Sequence, residues 1–115
     1  MRVTVVIPAR GGSDRVPYLN IRRLGDAPLL AHTIRAANKA GVPVAVCGEM
    51  AGEVELTRLL LGLGLRQFSM HPAQLLAVKQ QVLRSSIPEV EALAQRILRS
   101  EEADRTRGLL ARLNA

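Results

Sequence analysis

The sequence predicts an α/β fold, βαβαβα with parallel strands plus extra carboxyl-terminal helices. Three short strand-like runs, Val3–Ile7, Val42–Val46 and Arg66–Met70, alternate with segments of helical periodicity, and the final third is helical throughout. That alternation argues for parallel strands joined by right-handed crossovers. No internal repeat or low-complexity linker divides the 115 residues, so they form a single domain.

Val3 to Ile7 is a β-branched run ended by Pro8, the pattern of a buried parallel strand. Residues 9–27 are rich in Gly, Arg and Asp and read as a long loop. Pro28 suits the first turn of a helix, and Leu30, Ile34 and Ala37 recur on one face until Gly41 stops it. The second strand carries Pro43 at its start, where a missing N–H is tolerated. Val54 to Leu63 is a Leu-rich helix ended by Gly62 and Gly64. After the third strand, Pro72 opens a helix with Leu75, Leu76, Val82 and Leu83, interrupted by Lys79. Ser86-Ile87-Pro88-Glu89 has capping-box spacing ahead of Val90, Leu93, Ala94, Ile97 and Leu98. A last helix is expected from about Glu101 to Leu113, weakened at Gly108. Glu101, Glu102 and Asp104 read as its solvated, dipole-favoured start. Three strands with helices on both faces leave two open sheet edges. The expected remedy is self-association, as a homodimer.

The 48% hydrophobic and 23% charged content belongs to a globular chain. No apolar run reaches the roughly 18 residues of a membrane span, so no membrane partner is expected. A lone Cys47 forms no internal disulfide and fits a reducing, cytoplasmic location. The net charge of +6 lies mostly in residues 1–40, with seven Lys or Arg against two Asp. Nucleic acid is not the expected partner: Tyr18 and Phe68 are the only aromatics, too few for base stacking, and no helix carries a continuous basic face. His32 and His71 stand far apart without a third ligand, so neither a metal site nor a cofactor is read from the residues. Met50 and Met70 read as packing residues.

Arg10-Gly11-Gly12-Ser13 follows a strand, where the amides of a Gly-rich turn can cradle phosphate and Arg10 and Arg15 can neutralise it. The longer string Val5 to Pro17, with Asn20-Ile21, Leu24-Gly25, Pro28-Leu29 and His32-Thr33-Ile34, resembles the amino-terminal segment of CMP-sugar cytidylyltransferases. The resemblance covers residues 3–40. It implies a Rossmann-like nucleotide-binding strand and loop, with Arg10, Gly11, Gly12, Ser13 and Arg15 at the phosphates. Asp14 and Leu19 stand where that family carries Lys, and Tyr18 where it carries Gly. Losing two cations works against binding a nucleotide triphosphate.

Cys47 follows the second strand and precedes Gly48-Glu49-Met50-Ala51-Gly52. A thiol at the carboxyl end of a parallel strand is placed where α/β enzymes carry reactive groups, though a lone cysteine is more often plain packing. Gly41 to Gly52, with Leu59 to Leu65 and Phe68-Ser69-Met70, resembles the carboxyl-terminal end of phosphoenolpyruvate-utilising enzymes of the sugar-phosphotransferase enzyme I type. It covers residues 41–85 densely and extends into the helical tail, 86–115. The resemblance implies the last two βα units of a TIM barrel, with Cys47 as the acid that protonates the enolate of pyruvate. Glu53 and His71 depart from that family's usual Asp and small polar residue. Both families imply magnesium.

The leading expectation is a recombined or artificial chimera, joined within residues 33–41, that folds and self-associates without efficient catalysis, Cys47 being a vestigial acid/base. One alternative is a weak phosphate, nucleotide or phosphoenolpyruvate-binding module, with the Arg10–Arg15 and Cys47–Gly52 loops at one sheet edge. The other is a working transferase fragment.

Overall fold

The computed structural model describes residues 2–9, 23–100 and 103–115. The α/β class is as expected. Its elements are β1 (Val5–Pro8), β2 (Arg23–Leu24), β3 (Ala27–Pro28), α1 (Leu29–Lys39), β4 (Val44–Cys47), α2 (Glu49–Gly52), α3 (Val54–Gly62) and β5 (Gln67–Ser69). A 3-10 turn at Pro72–Gln74 leads into α4 (Leu75–Leu83), α5 (Ile87–Leu98) and α6 (Ala103–Asn114).

The main sheet has the order β1-β4-β5, with both pairings parallel. Val5 opposes Val44 and Pro8 opposes Cys47; Ala45 opposes Gln67 and Cys47 opposes Ser69. Strand order therefore follows chain order, the arrangement that successive βα units produce. Pro43 lies just before β4, and its carbonyl accepts from the Val5 amide at 2.8 Å.

Side chains alternate across this sheet. Val5, Ile7, Val44, Val46 and Phe68 join the core with Leu30 and Ile34 of α1 and with Leu59 and Leu60 of α3. On the other face Val6 is 56% exposed, Gln67 and Ser69 are exposed, and Ala45 and Cys47 are half-buried. Helices covering both faces were expected; the structure packs its core on one. The β1 and β4 alternation follows from this, since a strand buried on one side keeps only every second residue dry.

Helix α3 is the centre of the helical layer and meets α4, α5 and α6. Leu59 and Leu60 are fully buried there, each worth about 1.5–3 kcal/mol by removal from water. Gly64 ends the helix at φ 94°, with its amide on the Leu61 carbonyl at 3.0 Å. The Arg66 guanidinium donates to the Leu61 and Leu65 carbonyls at 2.9 and 2.8 Å, bracing the same end of the helix. Arg58 donates to the Leu113 carbonyl at 2.8 Å and ties α6 to α3.

Three local readings change. Residues 23–27, read as loop, and Pro28, read as the first turn of a helix, form a two-stranded antiparallel hairpin turned at Gly25-Asp26, with the helix starting at Leu29. Residues 49–52 make one helical turn. Ser86 is at the N-cap of α5, but its hydroxyl makes no capping bond, so the capping box is not formed. No helix of the described residues is long and apolar enough to cross a membrane.

Candidate functional site

The carboxyl end of β4 is built around a turn that needs glycine. Gly48 has φ 91° and ψ −163°, a region almost closed to other residues. A Cβ there would stand 3.1 Å from the Ala9 carbonyl oxygen. The Ala9 amide donates to the Cys47 carbonyl at 3.0 Å, and the Ala9 carbonyl accepts from the Met50 amide at 3.1 Å. Through these bonds the end of β1 is stitched to the start of α2. Adjacency of the first two long strands, on which the shared-edge reading depends, is thereby met.

Cys47 closes the central strand between Pro8 and Ser69 and is half-buried. Beside it lies an open cavity of about 380 Å³ lined by Cys47, Gly48, Glu49, Ser69, Met70, His71 and Gln74. The far wall is held by two contacts. His71 is the N-cap of the 3-10 turn, and its Nδ1 accepts from the Ala73 amide at 3.2 Å. Gln74 reaches across to Gly52, where a Cβ would overlap its side-chain amide. Glycine at 52 thus lets the segment after β5 close on the segment after β4.

Of the residues read from the sequence as site candidates, Cys47 lines this cavity. Arg10, Gly11, Gly12, Ser13 and Arg15 lie outside the described residues. Met50 is 1% exposed and packs in the core, whereas Met70 lines the cavity. His32 has a structural role: its Nε2 lies 2.7 Å from the Leu24 carbonyl and 3.1 Å from that of Ala27, pinning the hairpin to α1. Ser69 and Gln74 line the cavity without being site candidates in the sequence, and His71, which departs there from the family pattern and offers no metal site, lines it too. Their signal was positional, since all three follow or end a parallel strand at its carboxyl edge.

At the α2–α3 junction, burial and then the nearby charges of Glu49 and Glu55 hold the Glu53 carboxyl above its ordinary value. Magnesium, implied by the resemblances, needs a cluster of hard oxygen ligands. Among the described residues no group of three or more His, Cys, Asp or Glu side chains is placed to hold a metal ion. These residues alone do not fit the ion.

Residues 17–87 match the family model for the PEP-utilising enzyme, PEP-binding domain, PEP being phosphoenolpyruvate. The phosphoenolpyruvate-protein phosphotransferase of Cupriavidus necator is 55% identical over 85 residues, 74% of this chain and 14% of that relative. The protein of the same name from Buchnera aphidicola is 39% identical over 88 residues, 76% of this chain and 15% of the relative. That from Haloferax volcanii is 35% identical over 97 residues, 84% of this chain and 17% of the relative. The chain thus spans well under a fifth of the length of these curated relatives. They carry the phosphoenolpyruvate-utilising half of the sequence reading; the cytidylyltransferase-like half has no support from them. They favour the phosphoenolpyruvate alternative over a non-catalytic artificial chimera.

Proposed function

Because the chain belongs to the PEP-utilising enzymes through their PEP-binding domain, we propose that it serves as a phosphoenolpyruvate-binding portion of a phosphotransferase. Cys47 is its acid. When the phosphoryl group leaves phosphoenolpyruvate, the enolate of pyruvate remains. The Sγ–H bond of Cys47 breaks, its proton forms a C–H bond at the enolate methylene carbon, and the enolate oxygen becomes the ketone. The thiolate left behind takes a proton back from water.

The observation that carries this reading is the position of Cys47 at the carboxyl end of the central strand, facing an open cavity of about 380 Å³. Such a strand end is where α/β folds place their chemistry. Arg10, Gly11, Gly12, Ser13 and Arg15 follow Ala9, whose backbone is bonded to Cys47 and Met50. In this reading they contribute anion-binding groups.

The test uses the single cysteine as its own reporter. Phosphoenolpyruvate is expected to slow alkylation of Cys47 by iodoacetamide, with an affinity weaker than that of a complete active site. No protection at about 10 mM ligand, an order-of-magnitude ceiling for weak sites, removes the reading.

A further inference from the structure

We infer that His71 is a ligand-binding residue of the Cys47 cavity, its Nε2–H acting as the donor that receives a small carboxylate beside the thiol. The inference rests on the cavity assigned above and adds to it a residue at which this chain departs from the pattern of the family it resembles.

The argument begins with the ring's tautomer. Nδ1 accepts the Ala73 amide at 3.2 Å, so in the neutral ring the proton sits on Nε2. With Nδ1 committed to the cap, Nε2 is the ring's remaining polar atom, and His71 lines the cavity with Cys47. The cap also fixes the ring against the backbone that follows β5, which removes much of the rotamer entropy an exposed histidine would lose on binding.

The rest of the lining says what that donor is for. Gly48 and Met70 bring little polarity, and Ser69 and Gln74 are neutral. Glu49 lines the same cavity and has an interaction partner of its own. On the reading above a carboxylate enters beside Cys47, and a hydrogen-bond donor there stabilises it. His71 supplies one from β5's side of the cavity, one strand away from the thiol, because Cys47 and Ser69 are register partners and His71 follows Ser69 by two residues. A donor to the carboxylate of a three-carbon acid would hold its reactive carbon at a fixed distance from Sγ, as positioning for proton transfer requires.

The test compares the rates at which Cys47 reacts with iodoacetate, which carries a carboxylate, and with iodoacetamide, which does not. His71→Asn keeps an N-cap oxygen for the Ala73 amide but lacks the ring N–H; His71→Ser does the same with a shorter side chain. The iodoacetate-to-iodoacetamide rate ratio is expected to fall roughly three- to tenfold in both variants, the range of one charge-assisted hydrogen bond, while melting temperature changes little. An unchanged ratio in both overturns the role of His71. Loss of both rates in proportion overturns it too, since that would report a change in thiol access alone. Phosphoenolpyruvate protection separates this result from the broader reading. A lowered ratio without protection keeps His71 and removes phosphoenolpyruvate, and protection with an unchanged ratio does the reverse.

Discussion

Gly62 of α3 packs against Val90 of α5 so closely that a Cβ at Gly62 would stand 2.5 Å from the Val90 carbonyl oxygen and 2.6 Å from the Ala94 Cβ. The close approach lets Leu59 and Leu60 on α3 share a dry core with Val90, Ala94 and Ile97 on α5. Gly62→Ala puts a methyl against backbone, which cannot rotate away. Overpacking of this kind costs about 1–3 kcal/mol, more than the better helix propensity of Ala returns, at up to about 1 kcal/mol. Gly108 in α6 is the control, because nothing lies within 4 Å of its would-be Cβ. Gly108→Ala is expected to stabilise by about 0.5–1 kcal/mol. Thermal melts should therefore move in opposite directions. A rise in both would show that α3 and α5 do not meet at Gly62.

Gly48 offers a second backbone test. Its φ of 91° and ψ of −163° belong to a region that costs other residues about 1–3 kcal/mol, and its would-be Cβ meets the Ala9 carbonyl at 3.1 Å. Gly48→Ala is expected to lower the urea midpoint and to raise the reactivity of Cys47, because the Ala9–Cys47 and Ala9–Met50 bonds loosen together. An unchanged midpoint with unchanged thiol reactivity would contradict the turn described here.

Glu53 makes stability depend on pH in the less usual direction. Burial first, then Glu49 and Glu55, raise its folded-state pKa above the ordinary value of 4.5. The folded state thus holds the proton more tightly than the unfolded chain. Below pH 4.5 the group is protonated in both states and contributes no penalty. As pH rises from 4.5 through the raised pKa, the folded state must carry a disfavoured charge and stability falls. Glu53→Gln removes that fall. The variant is expected to melt above wild type at pH 7, with the gap narrowing towards pH 4.5. A gap independent of pH would assign the effect to packing.

Much of this arrangement was legible in the sequence. The β-branched run at Val3–Ile7, the Val42–Val46 run and the helical spacing of Leu56, Leu59 and Leu60 carry their signals locally, and the elements lie within two residues of where those signals place them. The hairpin at 23–28 was not legible, because a two-residue strand has no periodicity to read. Cys47 could be singled out from its place after a strand. The cavity could not, since Gly52 and Gln74 are 22 positions apart and their contact depends on how α2 and the 3-10 turn close together. Nor does Ser86, in a correctly spaced capping box, reveal that its hydroxyl makes no cap bond. Spacing permits a capping box, and side-chain rotation decides it.

The exposed leucines of α4 give the last prediction. Leu76 is 80% exposed, Leu83 76% and Leu75 53%, and β5 beside them in sequence is an edge strand of three residues with no charge or proline to discourage pairing. On the opposite side of the sheet order, Val6 of edge strand β1 is 56% exposed. Water around this much apolar surface favours its removal by association. The isolated chain is therefore expected to sediment above its monomer mass of 12.5 kDa, increasingly so at higher concentration. Leu76→Glu combined with Leu83→Glu places two charges on the α4 surface and is expected to shift the species towards monomer without lowering the melting temperature, because neither side chain belongs to the core. Wild type sedimenting at 12.5 kDa at every concentration would refute the expectation. Association that survives the double substitution would move the contact from α4 to the Val6 face, where Val6→Glu is the matching test.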